Sequence, residues 1–285
     1  MISGTRYRLD QEISRQLSLS REIAKAQTQL STQKRIQAPS EDPVAAARIS
    51  SIGRAQANES AWKSNLNLAA ALSDRADTTL KGATTAFDRV TELMTQGATG
   101  TVSDQDRATI ALELRSIAEE LTSLKDSRDS RGNALFMSGY SLRIPVQSGV
   151  QIIAVGTREE VFESVATAGG PKDLAAIVSD AAAALEMTNP TAREAAIAVS
   201  MDEVTAAVSH VATQRGEHGA LANRVDALLE RQADANLQLS EERSGLEDTD
   251  IHAVVARLSA QQLSLQAAQA VFARINENTL FDILR

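Results

Sequence analysis

The stretch from Ile251 to Arg285 constrains the chain most. It reads IHAVVARLSAQQLSLQAAQAVFARINENTLFDILR, without Gly or Pro. Positions 251, 255, 258, 262, 265, 269 and 272 alternate steps of four and three, and carry Ile251, Val255, Leu258, Gln262, Leu265, Gln269 and Phe272. This is a heptad seam, apolar except for its two glutamines. A lone helix with such a stripe has nowhere to bury it and needs a partner. The opposite end of the chain offers one. Ile2, Leu9, Gln16, Ile23 and Leu30 recur every seven residues, with Ile13 and Leu17 beside them. The two ends are read as pairing with each other and with other subunits.

Composition supports long helices around a thin core. Aromatics are 3% of 285 residues, and much of the 43% hydrophobic content is Ala, which packs helices closely but buries little area. A net charge of −8 opposes a nucleic-acid role, since phosphate binding needs clustered Lys and Arg. The longest basic run is Lys34-Arg35. No window is apolar enough for a membrane span, so no membrane insertion is expected. The N-terminal segment lacks the apolar core and small-residue cleavage site of a secretory signal peptide. Cysteine is absent, which excludes disulfides, thiolate metal sites and Cys nucleophiles.

The first helical pattern ends near residue 36, before Pro39. Asp42 then caps a helix with Pro43 at its first position. Leu66, Ala69, Leu72 (with Ser73), Ala76, Leu80, Phe87, Val90 and Met94 lie along one face of that helix. Gly97 to Gly100 is a turn. Ser103 and Asp106 form a variant capping box for a third helix carrying Ile110, Leu114, Ile117, Leu121 and Leu124. From Ala134 to Gly170 the short runs Leu135-Phe136-Met137, Ile144-Pro145-Val146 and Val150 to Val155 predict a hairpin or meander of two to four strands. Pro171 is read as opening a helix over Leu174, Ile177, Val178 and Leu185. Asn189-Pro190 starts the last arm, with Ile197, Val204, Val208, Val211, Leu221, Val225, Leu228 and Leu237 along it. Gly216 and Gly219 are expected to interrupt that arm. Ser244 to Thr249 is read as a break with new capping residues.

The predicted architecture is mainly α. It is an elongated antiparallel helical bundle or coiled coil of paired N- and C-terminal arms, with a small β-rich insertion in the middle. Residues 1–40 with 246–285 form the terminal, inner coiled-coil domain; 41–133 with 171–245 form the helical-arm domain; 134–170 form the insertion.

No catalytic, cofactor-binding or metal-ligating constellation stands out. His210, His218 and His252 fit no ligand spacing and are expected to be exposed helix residues. Asp248-Thr249-Asp250 lacks the Gly and distal Glu of a calcium loop and reads as helix capping. Glu159-Glu160 and Glu241-Glu242 read as solvated, and Trp62 as a core or interface residue. No phosphate loop or nucleophile elbow is present. The candidate functional residues are therefore subunit-interface residues: Ile2, Leu9, Ile13, Ile23, Leu30, Ile251, Val255, Leu258, Leu265, Phe272, Leu280 and Phe281.

Several stretches resemble a known family. Ser31-Thr32-Gln33-Lys34-Arg35-Ile36 through Pro39-Ser40-Glu41-Asp42-Pro43-Val44-Ala45-Ala46-Ala47 resembles the N-terminal signature of bacterial flagellin-like axial proteins. Ala134-Leu135-Phe136-Met137-Ser138-Gly139-Tyr140, Gln214-Arg215-Gly216-Glu217-His218-Gly219-Ala220-Leu221-Ala222-Asn223-Arg224 and the end from Leu263 to Leu284 are similar to further family motifs. The form at Pro39 to Pro43 resembles the hook–filament junction branch more than filament flagellin. The resemblance implies a structural adaptor of the flagellum, outside the cell, exported without a cleaved signal peptide. The implied partners are further copies of the chain in a helical or ring-like assembly, other axial proteins on the hook and filament sides, and a cytoplasmic export chaperone. No cofactor and no enzymatic activity are implied. A filament-forming flagellin, or a soluble helical binding protein or enzyme, stay open as alternatives.

Overall fold

The computed structural model describes residues 2–283, with side chains described at residue 7 and from 10 to 274. Helix α1 spans Ile2–Thr32, α2 Pro43–Gly97 and α3 Asp104–Lys125. Strands β1 (Arg143–Gln147) and β2 (Val150–Ile153) form one antiparallel hairpin, and β3 (Val165–Thr167) and β4 (Gly170–Lys172) another. A short π-helical turn, Glu159–Glu163, lies between the hairpins. Helices α4 (Leu174–Leu185), α5 (Pro190–Glu247) and α6 (Ile251–Ile283) complete the chain. The fold is mainly α, with two small sheets at mid-chain.

Helix starts follow local chemistry. The Asp42 carboxylate accepts the amide of Ala45 at 3.0 Å, as expected of a cap before Pro43. Ser103 accepts from the Asp106 amide at 3.1 Å and donates its hydroxyl to the Asp106 carboxylate at 2.7 Å. Asn189 accepts from the amides of Thr191 and Ala192.

The contacts divide the chain into two compact units. The larger covers Asn58–Asp234. Its core uses the expected faces: Leu66, Leu80, Phe87, Val90 and Met94 of α2, Ile110, Leu114 and Leu121 of α3, Leu174, Ile177 and Val178 of α4, and Val204 and Val211 of α5 are all buried. Ala69, Ala76, Ala83, Ala111, Ala181 and Ala207 are fully buried, so alanine sets the close approach of these helices.

Four expectations fail here. Leu135-Phe136-Met137 is not a strand. The Leu135 amide donates to the Ser127 carbonyl at 2.8 Å, and Phe136 stacks edge-on against Phe162, ring centroids 5.0 Å apart. A buried apolar segment can thus be fixed by packing and one bridge without a neighbouring strand. Pro171 belongs to β4, and Asp173 caps α4, accepting from the amides of Ala175 and Ala176 at 2.8 and 3.3 Å. Helix α5 continues through Gly216, Gly219 and Gly245 to Glu247. Each interior glycine costs about 1 kcal/mol, which packing of Val211, His218 and Val225 offsets. Leu237, placed on the buried stripe, is 59% exposed.

Candidate functional site

The smaller unit, Met1–Ala57 with Ala235–Arg285, holds the candidate interface residues. Two contacts fix the antiparallel register of α1 and α6. Lys34 and Asp248 form an isolated antiparallel bridge, and the Gln261 amide donates to the Glu22 carboxylate at 2.7 Å. Beside Gln29, which is buried and donates its amide to the Arg35 carbonyl at 2.8 Å, the less exposed positions of α1 are Glu12, Gln16, Leu19, Ile23, Ala26 and Leu30; those of α6 are Val254, Leu258, Gln261, Leu265, Ala268 and Phe272. Both sets alternate steps of four and three, so the intrachain seam is a heptad seam on each helix. The glutamines dilute it: Gln16 Nε2 and Gln261 Oε1 are buried without a hydrogen-bond partner.

This seam is not the one the sequence pointed to throughout. Ile23, Leu30, Leu258, Leu265 and Phe272 lie on it. Ile251 and Val255 are 42% and 43% exposed, and Ile13 and Leu17 stand off it likewise. Counted at 100° per residue, 251 and 255 fall to one side of the row 254, 258, 261, 265. The side chains of Ile2, Leu9, Leu280 and Phe281 lie outside the described residues.

Helix α6 carries a second apolar face that the expected stripe missed. Ala253, Ala256, Ala260, Leu263, Ala267 and Val271 follow one another at steps of three or four, roughly opposite the seam. All six are exposed, Leu263 at 69% and Val271 at 54%. An all-apolar row with alanine at four positions suits a closely approaching second helix. Among the described residues the helix is thus apolar on two sides, and only one of them is covered.

The signature stretch around Gln33 to Asp42 joins α1 and α2 to the turn between α5 and α6. The Arg35 amide donates to the Glu247 carbonyl at 2.7 Å, and the Thr249 amide to the Gln33 carbonyl at 3.0 Å. Gln33 takes a left-handed backbone (φ 57°) to reach it. The Glu247 carboxylate accepts from Arg243 at 2.7 Å and Lys34 at 2.5 Å, and these two cations hold it below the usual carboxylate range. Lys25 and the Gln37 amide lower Glu41 in the same way.

The histidines divide. His252 is exposed as expected, and His210 is half-buried, its Nε2 at 3.1 Å from the Val161 carbonyl. His218 is buried, with Nε2 2.7 Å from the Ser73 carbonyl. A carbonyl only accepts, so Nε2 carries the proton, and the ring ties α5 to α2. Among the described residues no group of three metal-ligating side chains comes together, and no helix is long and apolar enough to cross a membrane.

The profile of the bacterial flagellin N-terminal helical region matches residues 11–140, and that of the C-terminal helical region matches residues 201–284. The chain belongs to the flagellin-like family. It is 27% identical over 314 residues to the flagellar hook-associated protein 3 of Salmonella typhimurium, covering 99% of each chain. It is 25% identical over 288 residues to the Escherichia coli protein of the same name, covering 90% of each. A flagellar filament core protein of Treponema maltophilum is 25% identical over 201 residues, 69% of this chain and 68% of that one. The fold is similar to a flagellar hook-associated protein of Vibrio parahaemolyticus, at TM-score 0.66 and 19% identity, over 73% of this chain and all of that one. It is similar also to hook-associated protein-3 of Legionella pneumophila, at TM-score 0.62 and 12% identity, over 70% and 98%.

Proposed function

We propose that the chain is a structural adaptor of the bacterial flagellum that assembles at the junction between hook and filament. One observation carries this reading: the similarity to the two hook-associated proteins spans nine-tenths or more of both chains. The adaptor acts by binding, not by catalysis. Its terminal helices pair within the chain along Leu258, Leu265 and Phe272, and pack against further copies through the outward row of α6 and through Ile13, Leu17, Ile251 and Val255. Other axial proteins cover its hook and filament ends. Export proceeds without a cleaved signal peptide to the outside of the cell. Before export a cytoplasmic chaperone masks α6, because an uncovered apolar row aggregates.

The Treponema match favours one second reading, a filament-forming flagellin. The two differ in closure. A head-to-tail contact set grows without limit when its ends are complementary, whereas an adaptor between unlike neighbours stops at a short collar. Cells lacking the chain are expected to keep hooks and shed flagellin into the medium. Purified chain seeded with filament fragments should give no long filaments. Micrometre-long fibres of this chain alone would replace the adaptor reading with the flagellin one.

A further inference from the structure

The Asn58–Asp234 unit carries an open furrow of about 430 Å³ between α4 and the first part of α5. Alanines line much of it, and Met187 and Val199 on its walls are 41% and 57% exposed. At one end Lys172 pairs with both Asp180 and Glu203, each at 2.8 Å. Two carboxylates therefore face one cation. The other lining side chains are uncharged, so the furrow keeps a net negative charge.

The same unit carries a projection of the opposite character. The Glu159 carboxylate accepts the Ser138 hydroxyl and, at 3.1 and 3.2 Å, the Gly139 amide, while Gly139 takes the left-handed backbone (φ 77°) that this turn requires. The fixed turn presents Tyr140, 63% exposed, and Leu142, 40% exposed. Arg143 follows at the start of β1, exposed and, among the described residues, without a carboxylate partner. An aromatic and an aliphatic side chain after a pre-ordered turn, with a cation on the first residue of β1, offer exposed groups whose backbone loses little freedom on docking.

We propose that Tyr140, Leu142 and Arg143 of one copy dock in the α4–α5 furrow of a neighbouring copy. This rests on the assembly reading above. Charge selects the occupant: Arg143 supplies the cation that the excess carboxylate at Asp180 and Glu203 lacks. Projection and furrow are different patches of one chain, so the contact is heterologous, as a ring or helical collar of identical copies requires.

The absence of cysteine makes the test direct. Leu142→Cys and Val199→Cys chains are co-expressed, and isolated flagella are oxidised. Docking predicts a disulfide-linked dimer that appears only when both variants are present. Adding Tyr140→Ala or Arg143→Glu to the first variant should lower its yield at least several-fold. Flagella that contain both variants without the dimer, or with Leu142→Cys linked to another protein, would overturn the docking contact and leave the adaptor reading standing. Absence of both variants from flagella that contain the unsubstituted chain in parallel would overturn docking. Absence of the unsubstituted chain as well would overturn the adaptor reading with it.

Discussion

Arg35 and Leu246 lie 211 positions apart, and the Arg35 guanidinium donates two hydrogen bonds to the Leu246 carbonyl, at 3.0 Å from Nη2 and 3.3 Å from Nε. The last carbonyls of a helix have no donor of their own within it. Here the segment between α1 and α2 supplies them: the Arg35 side chain serves Leu246, and its amide serves Glu247 at 2.7 Å. A cation at a helix C-terminus also complements the helix dipole. One residue of the signature stretch thus caps a helix from the other end of the chain.

Replacing Arg35 by Ala should therefore loosen the join of the four helices. The site is half-exposed, so the expected cost is about 1 kcal/mol, below that of a buried charged hydrogen bond because solvent screens it. Limited proteolysis should cut faster between residues 33 and 42, with a lower melting temperature. Unchanged cleavage there would show that the backbone bridges hold the join alone.

The same join should respond to acid. Glu247 is held below its ordinary range by Arg243 and Lys34. A depressed folded pKa means that the stabilisation is present above the unfolded carboxylate pKa and is lost as pH falls through the folded one. Melting temperature should thus fall between about pH 5 and pH 3. Glu247→Gln should flatten part of that fall, and identical pH profiles for the two chains would refute the assignment.

Phe136 anchors the segment between α3 and β1 by its edge-on contact with Phe162. Both rings are 1% exposed. Phe136→Ala should cost about 3–5 kcal/mol from lost burial and the cavity left behind. Denaturant titration measures this, and a loss below about 1 kcal/mol would mean that the site collapses around the gap.

The long helices and their caps were legible in the sequence because Asp42-Pro43, Ser103–Asp106 and Asn189-Pro190 are local signals with a local mechanism. The α2 face was legible because Leu80, Phe87 and Met94 stand out from small neighbours. The seam of α6 was only half legible. Ala, Leu and Val are so frequent there that rows through 251, 253 and 254 all keep steps of three and four. Periodicity cannot choose among them, and the choice falls to the partner helix α1 through contacts such as Glu22 with Gln261. His218 was misplaced for a related reason: its role depends on the Ser73 carbonyl, 145 positions away.

The two faces of α6 give the sharpest test of how the chain works. Leu265 is half-buried on the seam with α1, while Leu263, two positions before it, is 69% exposed on the opposite row. Leu265→Asp places a charge between the two helices of one chain. It should lower the helicity and melting temperature of the isolated protein, and assembly as a consequence. Leu263→Asp meets only water in the isolated chain, so circular dichroism and melting should hardly change. In an assembly, a second helix on the alanine row would bury that charge unpaired, at a cost of several kcal/mol per contact. Leu263→Asp is therefore expected to leave a folded chain that no longer joins the flagellum, and to stop swimming. If Leu263→Asp chains populate hook tips as well as the unsubstituted chain does, the outward row faces solvent in the assembly, and subunits meet elsewhere.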